Sequence, residues 1–246
     1  GNFDLAVNGN ITQAAATSAI KIGGVTTINS NSGDITLNSA TNDFIGSVQL
    51  TGGSTSIVDA NNLLLTSISS TQASVTTGGN LTLSGTINAG SGTISINVNQ
   101  EFALSPNDNF TMQPGSSIVT TNDSTSAIEI TVNSLLGGAG NATLTSLSAG
   151  TSGGRIVIDT NSGAILDGNA ASLNVTANST ALRALAGVGT ASDPLELSVN
   201  TLAAIGGSGG VFVTNSKDLS LGQVGATAGL MTTTGNIDVR VNGSLT

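Results

Sequence analysis

Short stretches in which Ile, Leu or Val alternate with Thr, Ser, Asn or Asp recur along the whole chain, each opened by Gly, Asn or Ser and closed by the same types. The clearest are Gly33-Asp-Ile-Thr-Leu37, Gly79-Asn-Leu-Thr-Leu83, Gly92-Thr-Ile-Ser-Ile96, Ala127-Ile-Glu-Ile-Thr-Val132 and Gly140-Asn-Ala-Thr-Leu144. Gly154-Arg-Ile-Val-Ile158, Leu173-Asn-Val175, Leu195-Glu-Leu-Ser-Val199, Val211-Phe-Val213 and Gly235-Asn-Ile-Asp-Val-Arg-Val241 continue the series. A two-residue period bounded by turn formers reads as a strand with one face buried. Weaker candidates at Val48-Leu50, Ile57-Val58, Leu63-Leu65 and Ile118-Val119 fill the gaps. No stretch keeps a 3.6-residue period. Gln13 to Ile20 and Thr180 to Ala186 come closest and are short and Ala-rich, so the predicted helix content is near zero.

Two architectures accept many short strands: an antiparallel sandwich or barrel, and a parallel β-helix in which each coil stacks the same residue type above itself. The composition decides between them. Gly, Asn, Ser and Thr make up half of the 246 residues, aromatics are 2%, and Trp, Tyr, Cys and His are missing. The core must therefore be aliphatic and narrow, and polar corners must be numerous. That is the profile of a solenoid, with Gly where a corner needs positive φ and stacked Asn along the ladder. Coils of about 20 residues predict about 12 coils, and pairing at about 4.8 Å predicts a rod. No stretch has the quality of a domain boundary, so residues 1–246 read as a single continuous β-helix segment. Both ends lie inside the strand pattern, which reads as a fragment of a larger repeat protein. Asn99 to Asp123, holding Pro106, Pro114, Phe102, Phe110 and Met112, is the most irregular part and is expected to bulge as a loop.

Composition also excludes function classes. The net charge of −9 comes from 14 acids set singly against Lys21, Arg155, Arg183, Lys217 and Arg240, which is the wrong balance for nucleic acid. Nothing approaches 18 consecutive apolar residues, so no helix of this segment spans a membrane. Without Cys or His a transition-metal centre has no ligands to use. No cofactor motif is found.

The run Ala181-Leu-Arg-Ala-Leu-Ala-Gly-Val-Gly-Thr-Ala-Ser-Asp-Pro-Leu-Glu-Leu-Ser-Val-Asn-Thr-Leu-Ala-Ala204 resembles a unit of very large filamentous-haemagglutinin-like bacterial surface proteins. Gly-Gly-Val-Phe-Val-Thr-Asn and Asp218-Leu-Ser-Leu-Gly-Gln-Val-Gly, which follow it, and Thr120 to Leu144 upstream, are similar to the same class. The resemblance implies a right-handed parallel β-helix forming the shaft of a secreted or cell-surface fibre or adhesin. Its partners would be neighbouring repeats, end-to-end copies or laterally associated rods, with host or cell-surface ligands held by other regions. The secretion domain of that class, with its Asn-Pro-Asn-Gly type motif, does not occur in these residues.

No residue is assigned a catalytic, cofactor-binding or metal-binding role. Hydrolysis by paired carboxylates needs two acids on one face. The nearest in sequence, Asp193 and Glu196, straddle Pro194 and read with Arg183 as a surface ion pair pinning a turn. Asp34, Asp159, Asp167 and Asp238 fall at strand ends, where solvated turn roles are expected. Gly206 to Gly210 reads as a corner, since neither a phosphate-loop nor a calcium-coil pattern is present. The Thr pairs at 26–27 and 76–77 and the triplet 232–234 would need a flat, aligned Thr face to bind ice. Eight Asn-x-Ser/Thr sequons, at Asn10, Asn80, Asn109, Asn122, Asn141, Asn174, Asn178 and Asn242, are about what chance gives in such a composition. The expected function is a non-catalytic stalk. A filament subunit stacking end to end is the alternative, and a β-helix polysaccharide lyase or hydrolase a more distant one.

Overall fold

The structure, a computed structural model, describes residues 1–14, 18–99, 107–133 and 138–246. All described regular structure is β, in two long sheets of 15 and 11 strands whose pairings are all parallel. Among the described residues the single antiparallel pair is a small hairpin, Gln223–Val224 with Thr227–Ala228. This is a parallel β-helix. The segment Thr180 to Ala186, one of the two nearest approaches to a helical pattern, begins as strand instead: Ser179–Arg183 pairs with Arg155–Asp159 and Thr201–Gly207. Of the other, Gln13 to Ile20, residues 15–17 lie outside the described residues.

One column fixes the long axis. Leu5, Ile28, Leu50, Ile68, Ile87, Ile118, Leu147, Val175, Leu197, Asn215 and Val241 stand directly above one another in the first sheet. That makes eleven rungs rather than about 12. The coils between them are unequal, from 18 residues (Leu50 to Ile68) to 31 (Ile87 to Ile118). The second sheet carries matching columns, one of which runs Leu37, Ile57, Val75, Ile96, Ile130, Ile158, Leu182, Ala204 and Leu230. Apart from the buried Asn215, these side chains are aliphatic and form one continuous core, with Leu5, Leu230 and Val241 packed against it only partly buried, because strand alternation sends every second residue inward.

The first sheet splits part-way along the rod. Above the strand Leu81–Asn88 it divides into two runs of short strands, beginning with Phe110–Met112 and Ser117–Val119. The runs rejoin on Val211–Asn215. Phe110 and Met112 are buried core residues on a strand, so this part of the irregular segment is not a loop. Phe102 and Pro106 lie outside the described residues.

Corners repeat as well. Ser30-Asn-Ser-Gly33, Ala89-Gly-Ser-Gly92 and Thr160-Asn-Ser-Gly163 each close with an N–H of the fourth residue donating to the first carbonyl. The second position is left-handed in all three, with φ of 60°, 55° and 51° at Asn31, Gly90 and Asn161. Asn and Gly tolerate that region best. At the fourth position the chain passes directly beneath the preceding coil. A Cβ at Gly33, Gly92 or Gly163 would overlap the backbone of Gly9, Thr71 or Gly140.

Candidate functional site

Three features of this rod are candidates: a group of acids on the first sheet, a cleft on the second, and ladders of Asn along the corners.

The acids are Asp167, Asp193 and Glu196. Asp167 ends the strand Ala164–Asp167, where its Oδ1 accepts from the Asn169 N–H at 2.9 Å and from Asn174 Nδ2 at 2.7 Å. Asp193 sits in a turn closed by reciprocal backbone bonds with Thr190. Glu196 lies on Leu195–Ser198. These positions meet because the first sheet is split here, leaving residues 168–174 and 189–194 as stacked bends between the two runs. Asp193 and Glu196 both titrate above the usual carboxylate range, through desolvation first and the Asp167 carboxylate second. Asp167 Oδ2 and Glu196 Oε2 are buried without a partner. Arg183 is not there: its Nη1 pairs with Asp159 Oδ2 at 3.0 Å on the other sheet. The expected ion pair between Arg183 and Asp193 or Glu196 does not form, because residue 183 points outward from the second sheet while 193 and 196 belong to the first. Neighbouring carboxyls with a raised affinity for protons can act as acid and base, which is the chemistry such an arrangement offers.

The cleft, about 470 Å³, lies on the outer face of the second sheet beside the hairpin. Glu129, Arg155, Asp159 and Arg183 line it, gathering two of the three ion pairs among the described residues. The hairpin folds back over Ala181 and Ala203, burying both with Val224. Small outward residues at these two rungs leave the room it needs, where the larger Glu129 and Val157 occupy the same column in the two preceding coils. Gly225 at the hairpin tip lies over the Arg155 guanidinium, whose Nε is buried without a hydrogen-bond partner.

The Asn ladder answers the sequon question. Asn62, Asn80, Asn109 and Asn141 each accept, through Oδ1, the backbone N–H one coil on: Asn80, Asn109, Asn141 and Ala164, at 2.8 Å in every case. Asn174 is buried in the fold and its Oδ1 accepts the Glu196 N–H. Of the eight sequons, only Asn10 and Asn242 are exposed.

Elsewhere the outcome is plain. Asp34 accepts the Ser54 N–H one coil on, a bond between coils, and Asp159 the Asn161 N–H, a turn role. Asp238 pairs with Arg240 at 2.8 Å. Gly206 to Gly210 turns the chain, with a Gly210 N–H bond to the Gly206 carbonyl. Thr26 and Thr77 point into the core while Thr27 and Thr76 point out, so those pairs build no flat Thr face. Outward Thr82, Thr111 and Thr143 do stack, between Leu64 and Leu166. No group of three acids arranged to hold a metal ion occurs among the described residues, and no helix there is long and apolar enough to cross a membrane.

Sequence reasoning missed Asp59. It ends Ser54–Asp59, fully buried, with Oδ1 accepting the Asn61 N–H and Oδ2 the Phe44 N–H. Burial pushes its carboxyl up to about 6 despite those donors. The Asp-x-Asn spacing was the available signal for the turn. Nothing in the sequence marked the burial.

A family model described as repeats of unknown function (DUF5649) matches residues 1–51. Those residues carry the first rungs of both sheets. The chain is a repeat protein. No curated protein and no solved structure matches it. A further repeat is visible between distant parts of the chain: Gly235-Asn-Ile-Asp-Val-Arg-Val-Asn-Gly-Ser-Leu-Thr246 matches Gly1-Asn-Phe-Asp-Leu-Ala-Val-Asn-Gly-Asn-Ile-Thr12 at seven of twelve positions.

Proposed function

We propose that this chain is a length of non-catalytic shaft in a large secreted or cell-surface bacterial fibre or adhesin. The observation that carries the reading is the column from Leu5 to Val241, unbroken over eleven rungs although the coils differ in length. Such a column serves extension: each coil needs only its two neighbours, so length is added without a new core. The resemblance of Ala181 to Ala204 to filamentous-haemagglutinin-like proteins supports the same reading, as does a chain of which only 8% of residues are charged. Immunogold labelling of intact cells, followed by cryo-electron microscopy of the released material, tests it. Labelled rods with rungs about 4.8 Å apart are expected. Label confined to the cell interior, or discrete globular particles, would overturn it.

One observation favours a second reading, a polysaccharide hydrolase or lyase: Asp167, Asp193 and Glu196 converge, and two of them have raised affinities for protons. Turnover of acidic polysaccharides that is lost in Asp193→Asn and Glu196→Gln would establish it. No turnover by the parent chain would end it.

A further inference from the structure

The cleft on the second sheet holds a guanidinium without an acceptor among the described residues. The Arg155 side chain is only 20% exposed, yet its nearest acid, Glu129, stands 3.8 Å away, beyond hydrogen-bond distance. No other described residue takes a hydrogen bond from that guanidinium, and its Nε is buried without a partner. Arg183, the second cation of the cleft, differs: its side chain is 46% exposed and its Nη1 donates to Asp159 at 3.0 Å. Holding a largely buried cation away from any acceptor is unfavourable, and the chain has only five Lys and Arg to place.

The solenoid builds the surroundings of this group. Glu129, Val157 and Ala181 follow one another in one outward column, and Asp159, Arg183 and Ile205 in the next. Arg155 opens the strand that carries Val157 and Asp159. The hairpin supplies a wall, with Val224 to Thr227 lining the cleft. A cationic donor therefore faces an apolar body made of Val157, Ile205 and Val224. The volume of about 470 Å³ is on the scale of a small-molecule site.

We propose that the cleft binds a small monocarboxylate with an apolar body, its carboxylate on the Arg155 guanidinium and its body over Val157 and Ile205. An oxyanion is what a planar guanidinium can hold at two points. Glu129 and Asp159 line the same cleft and select for a single negative charge, because they repel a dianion such as sulfate more strongly. A free short-chain acid and the C-terminus of a peptide both carry such a group. The site lies apart from the acids on the first sheet, and its failure leaves the shaft reading standing.

Titration of the chain with isobutyrate, followed through its backbone amide NMR signals, tests the site. Shifts are expected at Ala181, Val224, Gly225 and Ala226, with a dissociation constant on the order of 1 mM. Isobutyramide, the neutral isostere, and sulfate are each expected to bind about 10-fold more weakly or worse. Arg155→Gln is expected to weaken isobutyrate by about 10-fold or more. Glu129→Gln removes the competing carboxylate and is expected to tighten isobutyrate about 2- to 5-fold, a gain that a damaged fold cannot mimic. N-acetylvaline binding more tightly than isobutyrate assigns the site to a peptide C-terminus, and the reverse order to a free acid; both support a carboxylate site. Isobutyramide or sulfate binding as tightly as isobutyrate overturns the monocarboxylate assignment. The absence of shifts at about 50 mM isobutyrate, or undiminished binding by Arg155→Gln, overturns the site.

Discussion

Asn109 Oδ1 accepts the backbone N–H of Asn141 one coil further along the rod, at 2.8 Å. With Asn62 and Asn80 below it and Ala164 above, this forms a side-chain ladder running parallel to the backbone one. Asn109→Ala leaves the Asn141 amide without its acceptor, and the expected cost is about 1 to 3 kcal/mol. Asn109→Asp keeps an acceptor oxygen and is expected to lose less. Denaturant unfolding of the two variants checks the order. Equal losses would mean that packing, not the hydrogen bond, is what residue 109 contributes.

At the corner Thr160 to Gly163 two neighbouring positions should respond oppositely. Gly163→Ala drives a methyl into the Gly140 carbonyl of the coil below and is expected to cost several kcal/mol or to shift the coil, about 3 kcal/mol by analogy with overpacked cores. Asn161→Gly keeps the left-handed φ of 51° and gives up the Nδ2 bond to the Asn133 carbonyl at 3.4 Å. It is expected within about 1 kcal/mol of the parent. Thermal unfolding of both variants separates steric from conformational demand.

Stability should rise on mild acidification. Every resolved shift, at Asp59, Asp108, Asp193 and Glu196, is upward. A carboxyl raised in the folded state binds its proton more tightly there. Its contribution is complete below the unfolded value of 3.8 and is lost as pH rises through the folded value, about 6 for Asp59. For that residue the difference is roughly 2 to 3 kcal/mol. Unfolding midpoints are therefore expected to be higher at pH 4.5 than at pH 7.5. Asp59→Asn should flatten the profile between those values, and an unchanged slope would assign it to other groups.

Glu196→Gln removes one of three converging acids while keeping an acceptor for its neighbours. Burial first and repulsion from Asp167 second raise Glu196, and a neutral amide escapes both, so the variant is expected to be more stable at pH 7.5 by a few tenths of a kcal/mol, given its partial exposure. The gain should vanish near pH 4. A loss at both pH values would instead indicate an organised proton-sharing site.

The fold was legible because the signal lies in inward alternation, which tertiary contacts reinforce rather than override. Ile94, Ile128 and Ile156 announce a strand locally and then stack on one another. Coil number was less legible, because residues 113–116 and 168–174 lengthen a coil without adding a rung. The candidate sites were hardly legible at all. Asp167 and Asp193 meet across the split first sheet, 26 residues apart, and Arg183 finds Asp159 only because one coil happens to place them side by side. Spacing along the chain cannot reveal either pairing, since both depend on how many residues each corner absorbs.

Unequal coils have a mechanical meaning. The bonds joining rungs lie along the rod, so an axial pull loads them end-on, one rung at a time. Each rung that yields releases its own coil as slack, at most about 3.5 Å per residue. The 18-residue coil between Leu50 and Ile68 would release about 60 Å, and the 31-residue coil between Ile87 and Ile118 about 110 Å. A stretched rod would therefore lengthen in steps of different size, and the order of those steps would record which coil gave way.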